Sequence, residues 1–442
     1  MARRSRERAL ALWMNGTRVG EWRLPARGPM ELRYDDDWLR SPEARPLSLS
    51  LPLNFDGVPL RGAAVEAWFD NLLPDSDVIR KRLQGRFGTT TQAAFDLLEA
   101  VGRDCVGALQ LLAPDAEPAD LRCIDAEPLD DAGVARLIGA AITPGSAWSM
   151  AGDADDFRIS IAGAQEKTAF TRHDGRWCRP RGATPTTHIF KLPLGLVGNR
   201  RADMNSSVEN EWLCSELLRE CGLDIARTRI GQFEDRKVLI VERFDRKLAA
   251  SGDHWLRLPQ EDFCQALGVP GMRKYESDGG PGIDAIAGVL AFSEQRAGDL
   301  DSLLRAQLLF WLLAATDGHA KNFSIALHAG GRYRLTPLYD VLSAWPVIGK
   351  GPNLLDYRKL KLAMALRGKN AHDKLAEIQR RHFVDTAARC GLGQAAMEAA
   401  IDALAIRLPA ALDAVGQRLP DGFPPAVFSS IDAGVRQSLA RL

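Results

Sequence analysis

The chain has 442 residues, 57 basic and 57 acidic side chains, and 46% hydrophobic residues. That length exceeds what one core usually serves, so two or three domains are expected, and the balanced charge excludes a bulk electrostatic signature for nucleic acid or membrane. Seven scattered cysteines without C-x-x-C argue against a disulfide framework and a zinc site and suit a reducing cytoplasm; no run of about 20 apolar residues predicts a membrane span.

In chain order, Asn15-Gly16 predicts a type I′ β-hairpin between two alternating runs. "DSDVIRKRL" predicts a helix capped by Asp75, and "AAFDLLEAVGRDCVGALQLL" a helix that stops near Gly102 before a strand. The small and polar "TPGSAWSMAGDADD" marks a domain boundary, giving spans of 1–148, 149–245 and 246–442. The second span reads as strands at "FRISI", at a hairpin around Asp174-Gly175 and at "THIFKLP". A helix follows at "SSVENEWLCSELLRECG", with Ser206 and Glu209 as a capping box and Gly222 as its stop, and then the strand "KVLIVERFDR". Beyond residue 246 the pattern is mostly helical, including "PQEDFCQALG", "IDAIAGVLAFSE" and "LDSLLRAQLLFWLLAAT". The one clear exception is a hairpin around Gly330-Gly331. A β-rich lobe followed by an α-rich lobe implies a cleft between them.

The chemistry concentrates in "DGHAKN". Asp317 and Asn322 are five positions apart, the interval between the base and the metal-binding amide of a protein-kinase catalytic loop. A hairpin then leads to Asp340, where a kinase carries its second metal-binding acid, and oxygen ligands of this kind suit Mg²⁺. Asp317 would take or orient the proton of a substrate hydroxyl. Lys321 could face the γ-phosphate, with His319 beside it. In the β lobe, Lys191 occupies the place of the kinase lysine that pairs with phosphates, and Glu209 and Glu211 are its candidate partners. Ala162, Gly163, Ala164, Gln165, Glu166 and Lys167 form a small-residue turn at the position of a phosphate loop, although the sequence is neither G-x-G-x-x-G nor a Walker motif. Glu242, Arg243 and Phe244 end the last strand, where a connector would frame adenine.

"SIAGAQEKTAF", "TPTTHIFKLP", "VERFDR", "LPQEDFCQALG", "KYESDGGPGI", "ATDGHAKNFS" and "RLTPLYDV", in this order, resemble the HipA family of serine/threonine-protein kinase toxins, as do "RPLSLSLPL" and "FDNLLPDSDVIRKRL" upstream. The resemblance implies an α+β, two-lobed protein-kinase-like fold with an additional N-terminal α/β domain. It also implies a cytoplasmic type II toxin that uses ATP and Mg²⁺ to phosphorylate a protein, glutamyl-tRNA synthetase in the best-known members, and so causes growth arrest and persistence. The partner it implies is a small helix-turn-helix antitoxin, HipB, that binds toxin and operator DNA together and represses the operon. By matching motif, Asp317 is the catalytic acid, Asn322 and Asp340 are metal ligands, and Lys191 is the phosphate lysine. Residues 162–167, Glu242, Arg243, Phe244, His319, Lys321 and Tyr339 surround ATP, and Ser160 is an autophosphorylated serine whose modification would expel the phosphate loop. Lys369, Lys374, Arg380 and Arg381 form a basic stretch able to meet DNA phosphates. Two rivals are a small-molecule kinase of the aminoglycoside-phosphotransferase sort and a catalytically silent co-repressor.

Overall fold

The computed structural model describes residues 7–119, 121–142, 161–163 and 165–442. Its first unit is an antiparallel five-stranded sheet in the spatial order Leu60–Arg61, Glu31–Tyr34, Thr17–Leu24, Arg8–Met14, Leu109–Leu112. Asn15 and Gly16 both take positive φ (45° and 83°), which is what the predicted I′ turn needs to match the twist of its strands. Helices Ala63–Asp70 and Ala94–Val101 cover the sheet and build a separate core with it. At its centre the Trp22 ring stacks on Phe69 at 3.8 Å and 8° and meets Phe95 at 4.7 Å.

Helix Asp77–Phe87 is capped one residue later than predicted. Ser76 Oγ accepts from the Ile79 amide at 3.4 Å, while Asp75 turns away to Lys274 Nζ at 2.9 Å. A tertiary ion pair has taken the predicted cap residue.

The second sheet has six antiparallel strands in the order Thr228–Phe233, Arg236–Glu242, His188–Lys191, Lys167–His173, Arg176–Pro180, Ala126–Leu129. Its last strand and the helix Asp131–Ile142 precede the expected boundary near 148, yet they belong to this layer. Val134 and Ile138 pack against Phe170, Phe190, Val238 and Ile240. The N-terminal sheet therefore ends at Leu112, and the expected 1–148 unit divides before residue 126. The linker composition that suggested 148, and the predicted strand at 157–161 apart from Ile161, lie outside the described residues.

Helix Ser207–Glu220 lies on the other face, with Leu213, Leu217 and Leu218 fully buried in the core of the third unit. Ser206 makes no side-chain cap bond, so the expected capping box is absent: Glu209 is drawn instead to Lys237 Nζ at 2.6 Å. The third unit gathers helices Ile283–Leu290, Arg296–Leu312, Arg380–Arg389, Gln394–Gly416 and Pro425–Leu439 around Trp311, Phe383 and Met397.

It carries more strand than expected. The sequence around Gln265 divides into strand Gln260–Asp262 and the single turn Phe263–Ala266, because Asp262 caps the turn through a reciprocal bond with Gln265. Strands Lys361–Arg367 and Ala371–Lys374 pair although Leu, Ala and Met, good helix formers, fill the first; tertiary pairing overrides propensity there. The whole is an α+β, two-lobed kinase-like fold with an added N-terminal domain. No helix among the described residues is long and apolar enough to cross a membrane.

Candidate active site

The leucine-rich helix Arg296–Leu312 is buried along most of its length, and Ala314 at φ 49° turns the chain out of it toward Asp317. Gly318 is required by packing, since a Cβ there would enter the Phe310 ring. A short 3₁₀ turn, Ala320–Asn322, then presents the polar side chains before strand Ser324–Leu327. Strand Tyr333–Leu335 returns the chain to Asp340, whose φ of 62° is a left-handed conformation that costs a non-glycine residue roughly 1–2 kcal/mol. Such strain persists where surrounding structure fixes it, commonly at functional sites.

Lys191 does the fixing. Its Nζ lies 2.6 Å from Glu211 Oε1 and 2.6 Å from Asp340 Oδ1, with the lysine and Glu211 buried. Of the two glutamates open to it, Glu211 is the partner; Glu209 is engaged by Lys237. Burial works against the Lys191 charge, but the two carboxylates outweigh it and hold the ammonium above its ordinary value. Burial likewise opposes the Asp340 charge, and Lys191 and Lys167 hold that carboxyl well below the usual range. Glu211, the most enclosed of the three, is pushed upward by burial.

Asn322 donates from its amide nitrogen to the Asp317 carbonyl at 2.8 Å and the Asp340 carbonyl at 3.4 Å, which leaves its oxygen as the atom for a cation. Asp317 opens at the cleft and receives the Tyr275 hydroxyl; withdrawal of the carboxylate from water, joined by the nearby Asp340 charge, outweighs that bond and pushes it above the usual carboxylate value. His319 is buried edge-on to Tyr275 at 4.9 Å; burial, then the Lys274 charge, bring its pKa down to about 3, so it is neutral at physiological pH.

Lys321 lines the same cleft, but its ammonium is held by Asn71 Oδ1 at 2.7 Å and Asp262 Oδ2 at 3.1 Å rather than standing free for phosphate. In the phosphate-loop position, Gly163 takes φ 111°, and a Cβ there would collide with Lys167 Nζ. Lys167 donates to the Ala162 carbonyl at 2.7 Å; burial and the Lys191 charge lower its pKa to about 8. Gln165 donates to the Leu192 carbonyl and Glu166 pairs with Arg82. Ala164 and Ser160 lie outside the described residues.

Phe244 and Tyr339 face the cleft with ring centres 5.8 Å apart, and Ile189, Val241 and Ala226 add an apolar wall. The exposed Glu242 stands at the rim. Arg243 also lines the cleft, while its side chain is buried in a charge cluster at the domain junction. There Asp104 meets Arg246 at 2.9 Å, Arg257 at 3.3 Å and Arg243 at 3.4 Å, while Asp245 meets Arg243 at 2.8 Å and Arg246 at 3.0 Å. Outside the cleft lining, Lys374 pairs with Glu377 and Arg380 with Asp402, each at 2.8 Å, while Lys369 and Arg381 are exposed.

Residue spacing singled out Asp317, Asn322 and Asp340, strand position singled out Lys191, and the structure brings all four into one cleft. Neither signal found Asn71, Asp75, Asp262, Lys274 or Tyr275, which line or support that cleft from distant parts of the chain. "FDNLLPD" and "KYESDGG" carry only the family resemblance, and no local spacing links them to the loop.

The site can be set beside known proteins. The HipA N-terminal domain model matches residues 10–112, and the HipA-like C-terminal domain model matches residues 159–412. Y4mE of Sinorhizobium fredii, which carries a kinase name, is 34% identical over 391 residues, 87% of this chain and 86% of that protein. The serine/threonine-protein kinase toxin HipA of Shewanella oneidensis is 25% identical over 425 residues, 93% of this chain and 90% of its own. A solved complex of Shewanella oneidensis HipA with HipB and its operator DNA has the same fold, with a TM-score of 0.77 at 23% identity over 98% of this chain and 96% of that one. With both domains matched in order and a relative aligned along most of its length, the chain belongs to the HipA family.

Proposed function

We propose that this chain is an ATP- and Mg²⁺-dependent serine/threonine-protein kinase, the toxin of a type II toxin–antitoxin pair. The observation that carries the reading is Lys191 bridging Glu211 and Asp340, with Asn322 and Asp317 opening into the same cleft. Asp340 and Asn322 offer hard oxygen donors at one point, the donor set Mg²⁺ takes when it shares phosphate oxygens and water. They would hold the metal, and Lys191 would hold phosphates. When bound, Mg²⁺ neutralises charge on the transferring phosphoryl group. Asp317 accepts or orients the substrate hydroxyl's proton, a role suited to a carboxylate at the cleft mouth with a raised pKa. Neutral His319 supplies hydrogen bonding without charge. Phe244 and Tyr339 offer aromatic surface for adenine.

Family membership supports the finer parts of the proposal: glutamyl-tRNA synthetase as protein substrate, growth arrest as outcome, Ser160 as the autophosphorylated switch, and a HipB-like antitoxin as partner. The Shewanella oneidensis complex, which contains HipB and operator DNA, supports a co-repressor role. In such an assembly Lys374, Arg380 and Arg381 would meet DNA phosphate.

The test is incubation of the full chain with labelled ATP, Mg²⁺ and the host glutamyl-tRNA synthetase, beside Asp317→Asn. Label on the synthetase and on Ser160, absent with the variant, is expected. Label on Ser160 alone keeps the kinase and rejects the substrate; no label from the parent chain rejects the kinase.

A further inference from the structure

Two loops of the cleft are held from outside both lobes. Lys321, in the loop of Asp317 and Asn322, donates to Asn71 Oδ1 at 2.7 Å and to the Asn71 carbonyl at 3.2 Å, across 250 positions of sequence. Asp262 Oδ2 at 3.1 Å and Asp75 Oδ1 at 3.8 Å complete its surroundings. An ammonium has three donors, and Asn71 engages two of them. Asn71 is itself immobilised: it is 1% exposed, and its amide nitrogen donates to the carbonyls of Ala67 and Val269, each at 2.9 Å.

Asp75 extends the grip in two directions. Its carboxylate pairs with Lys274, the neighbour of Tyr275, whose hydroxyl donates to Asp317. Its backbone amide donates to the Gly163 carbonyl at 3.1 Å, where Pro74 and Gly163 form a parallel β-bridge, and Arg82 pairs with Glu166, the residue next to Lys167, which is the phosphate lysine's strand partner. Burial pushes the Asp75 carboxyl up, but Lys321 and Lys274 outweigh it and hold it ionised. One short stretch of the N-terminal domain thus grips the catalytic loop and the phosphate loop together. A buried lysine stripped of such partners would carry an uncompensated charge, so the contact strongly restricts where the loop can sit.

We propose that residues 71–82 of the N-terminal domain are a working part of the phosphotransfer site, with Asn71 and Asp75 as positioning residues that set the catalytic loop through Lys321 and the phosphate loop through Gly163. The inference rests on the kinase reading above and goes beyond it: Lys321 is an anchor for Asp317 and Asn322 rather than a phosphate ligand, and the site is incomplete without the N-terminal domain. Misplacing a reacting group by about 1 Å can cost on the order of 100-fold in rate, so a lost anchor should act on turnover more than on nucleotide affinity.

The experiment compares the full chain with Asn71→Ala, Lys321→Met and the double variant. Label transfer is followed across ATP concentrations, and hydrogen exchange is followed at the amides of His319, Asn322 and Phe323. Asn71→Ala should lower the rate at saturating ATP about tenfold or more while the half-saturating ATP concentration stays within about twofold. In the Lys321→Met background the same change should add less than about twofold, because Asn71 acts through that lysine. Exchange in the loop should quicken. Asp75→Asn, which keeps the backbone contact to Gly163, should behave in the same direction and serves if Asn71→Ala does not fold. Equal and independent losses in both backgrounds would overturn the proposal, as would unchanged rate and exchange. If the parent chain transfers no label, the kinase reading falls and exchange alone decides the contact: faster loop exchange in Asn71→Ala sustains it, and unchanged exchange overturns it.

Discussion

Replacing Asp104 by Asn should loosen the junction of all three domains. The side chain keeps its shape, but the change removes the carboxylate shared by three buried guanidinium groups, leaving Asp245 to pair with Arg243 and Arg246 and taking the carboxylate from Arg257. These side chains are between 0% and 8% exposed, so water cannot replace the lost charge. Breaking a buried pair from one side costs about 3–5 kcal/mol, and weakened bonds from the Thr186 amide and hydroxyl, now 3.0 and 2.7 Å from Asp104, add to it. A loss of about 4 kcal/mol, on the order of a thousandfold in the opening equilibrium, is expected. The cost comes from stranding the arginines, not from the cluster being worth that much over an apolar packing. Urea unfolding of the full chain followed by tryptophan fluorescence reads the loss, and hydrogen exchange at the amides of Gly107 and Thr186 localises it. The pH dependence has a definite sign. Burial opposes ionisation of Asp104 and Asp245, but the arginines outweigh it and depress both carboxyls, Asp245 to about 2. Their contribution is therefore fully present above the unfolded value of about 4 and is lost as pH falls through the folded values, so the difference between parent and variant should shrink in acid. A loss below about 1 kcal/mol at pH 7 would refute the argument that these charges depend on one another.

Lys167, with its pKa lowered to about 8, should be mostly neutral in the free protein at pH 8.5, and phosphate placed beside it should restore its charge. Calorimetry of Mg-ATP binding in buffers of different ionisation heat should show uptake of most of a proton at that pH and little at pH 6.5; equal uptake at both would count against Lys167 as a phosphate contact. Gly434→Ala should destabilise despite the better helix propensity of alanine. The new Cβ would enter the indole of Trp345, which is stacked on Tyr357 at 5.2 Å and bonded to the Leu312 carbonyl at 2.9 Å, so about 1–3 kcal/mol of overpacking outweighs a gain of about 0.5–1 kcal/mol. A raised melting temperature would contradict this.

What sequence could reveal divides by distance. The interval from Asp317 to Asn322, the returning hairpin and Asp340 are local, so their pattern survives in the chain as spacing. The hairpin turns at Asn15-Gly16 and Asp174-Gly175 were equally legible, because each needs two adjacent positive φ angles and the residues advertise them. Capping failed twice for one reason: Asp75 and Glu209 looked locally competent but were recruited by Lys274 and Lys237 from other parts of the fold. Arg243 lines the cleft as its place in the connector suggested, but its burial against Asp104, 139 positions away, was not legible from neighbours in sequence. Contacts of that range leave no periodicity, and the same blindness hid Asn71 beneath Lys321. The choice between Glu209 and Glu211 required knowing which face of the helix Ser207–Glu220 meets the sheet.

The strand Ala126–Leu129, sewn onto the outer edge of the six-stranded sheet beside Arg176–Pro180, bears on how this protein can be divided. A fragment starting at residue 149 would lose that strand and the helix behind it. It would bare a row of unpaired backbone groups and the apolar faces of Phe170 and Phe190, a template for sticking to other chains. A fragment starting near residue 124 keeps the edge closed. The β-rich lobe therefore begins before the linker that the composition suggests, and a cut at that linker should leave a lobe prone to edge-to-edge association.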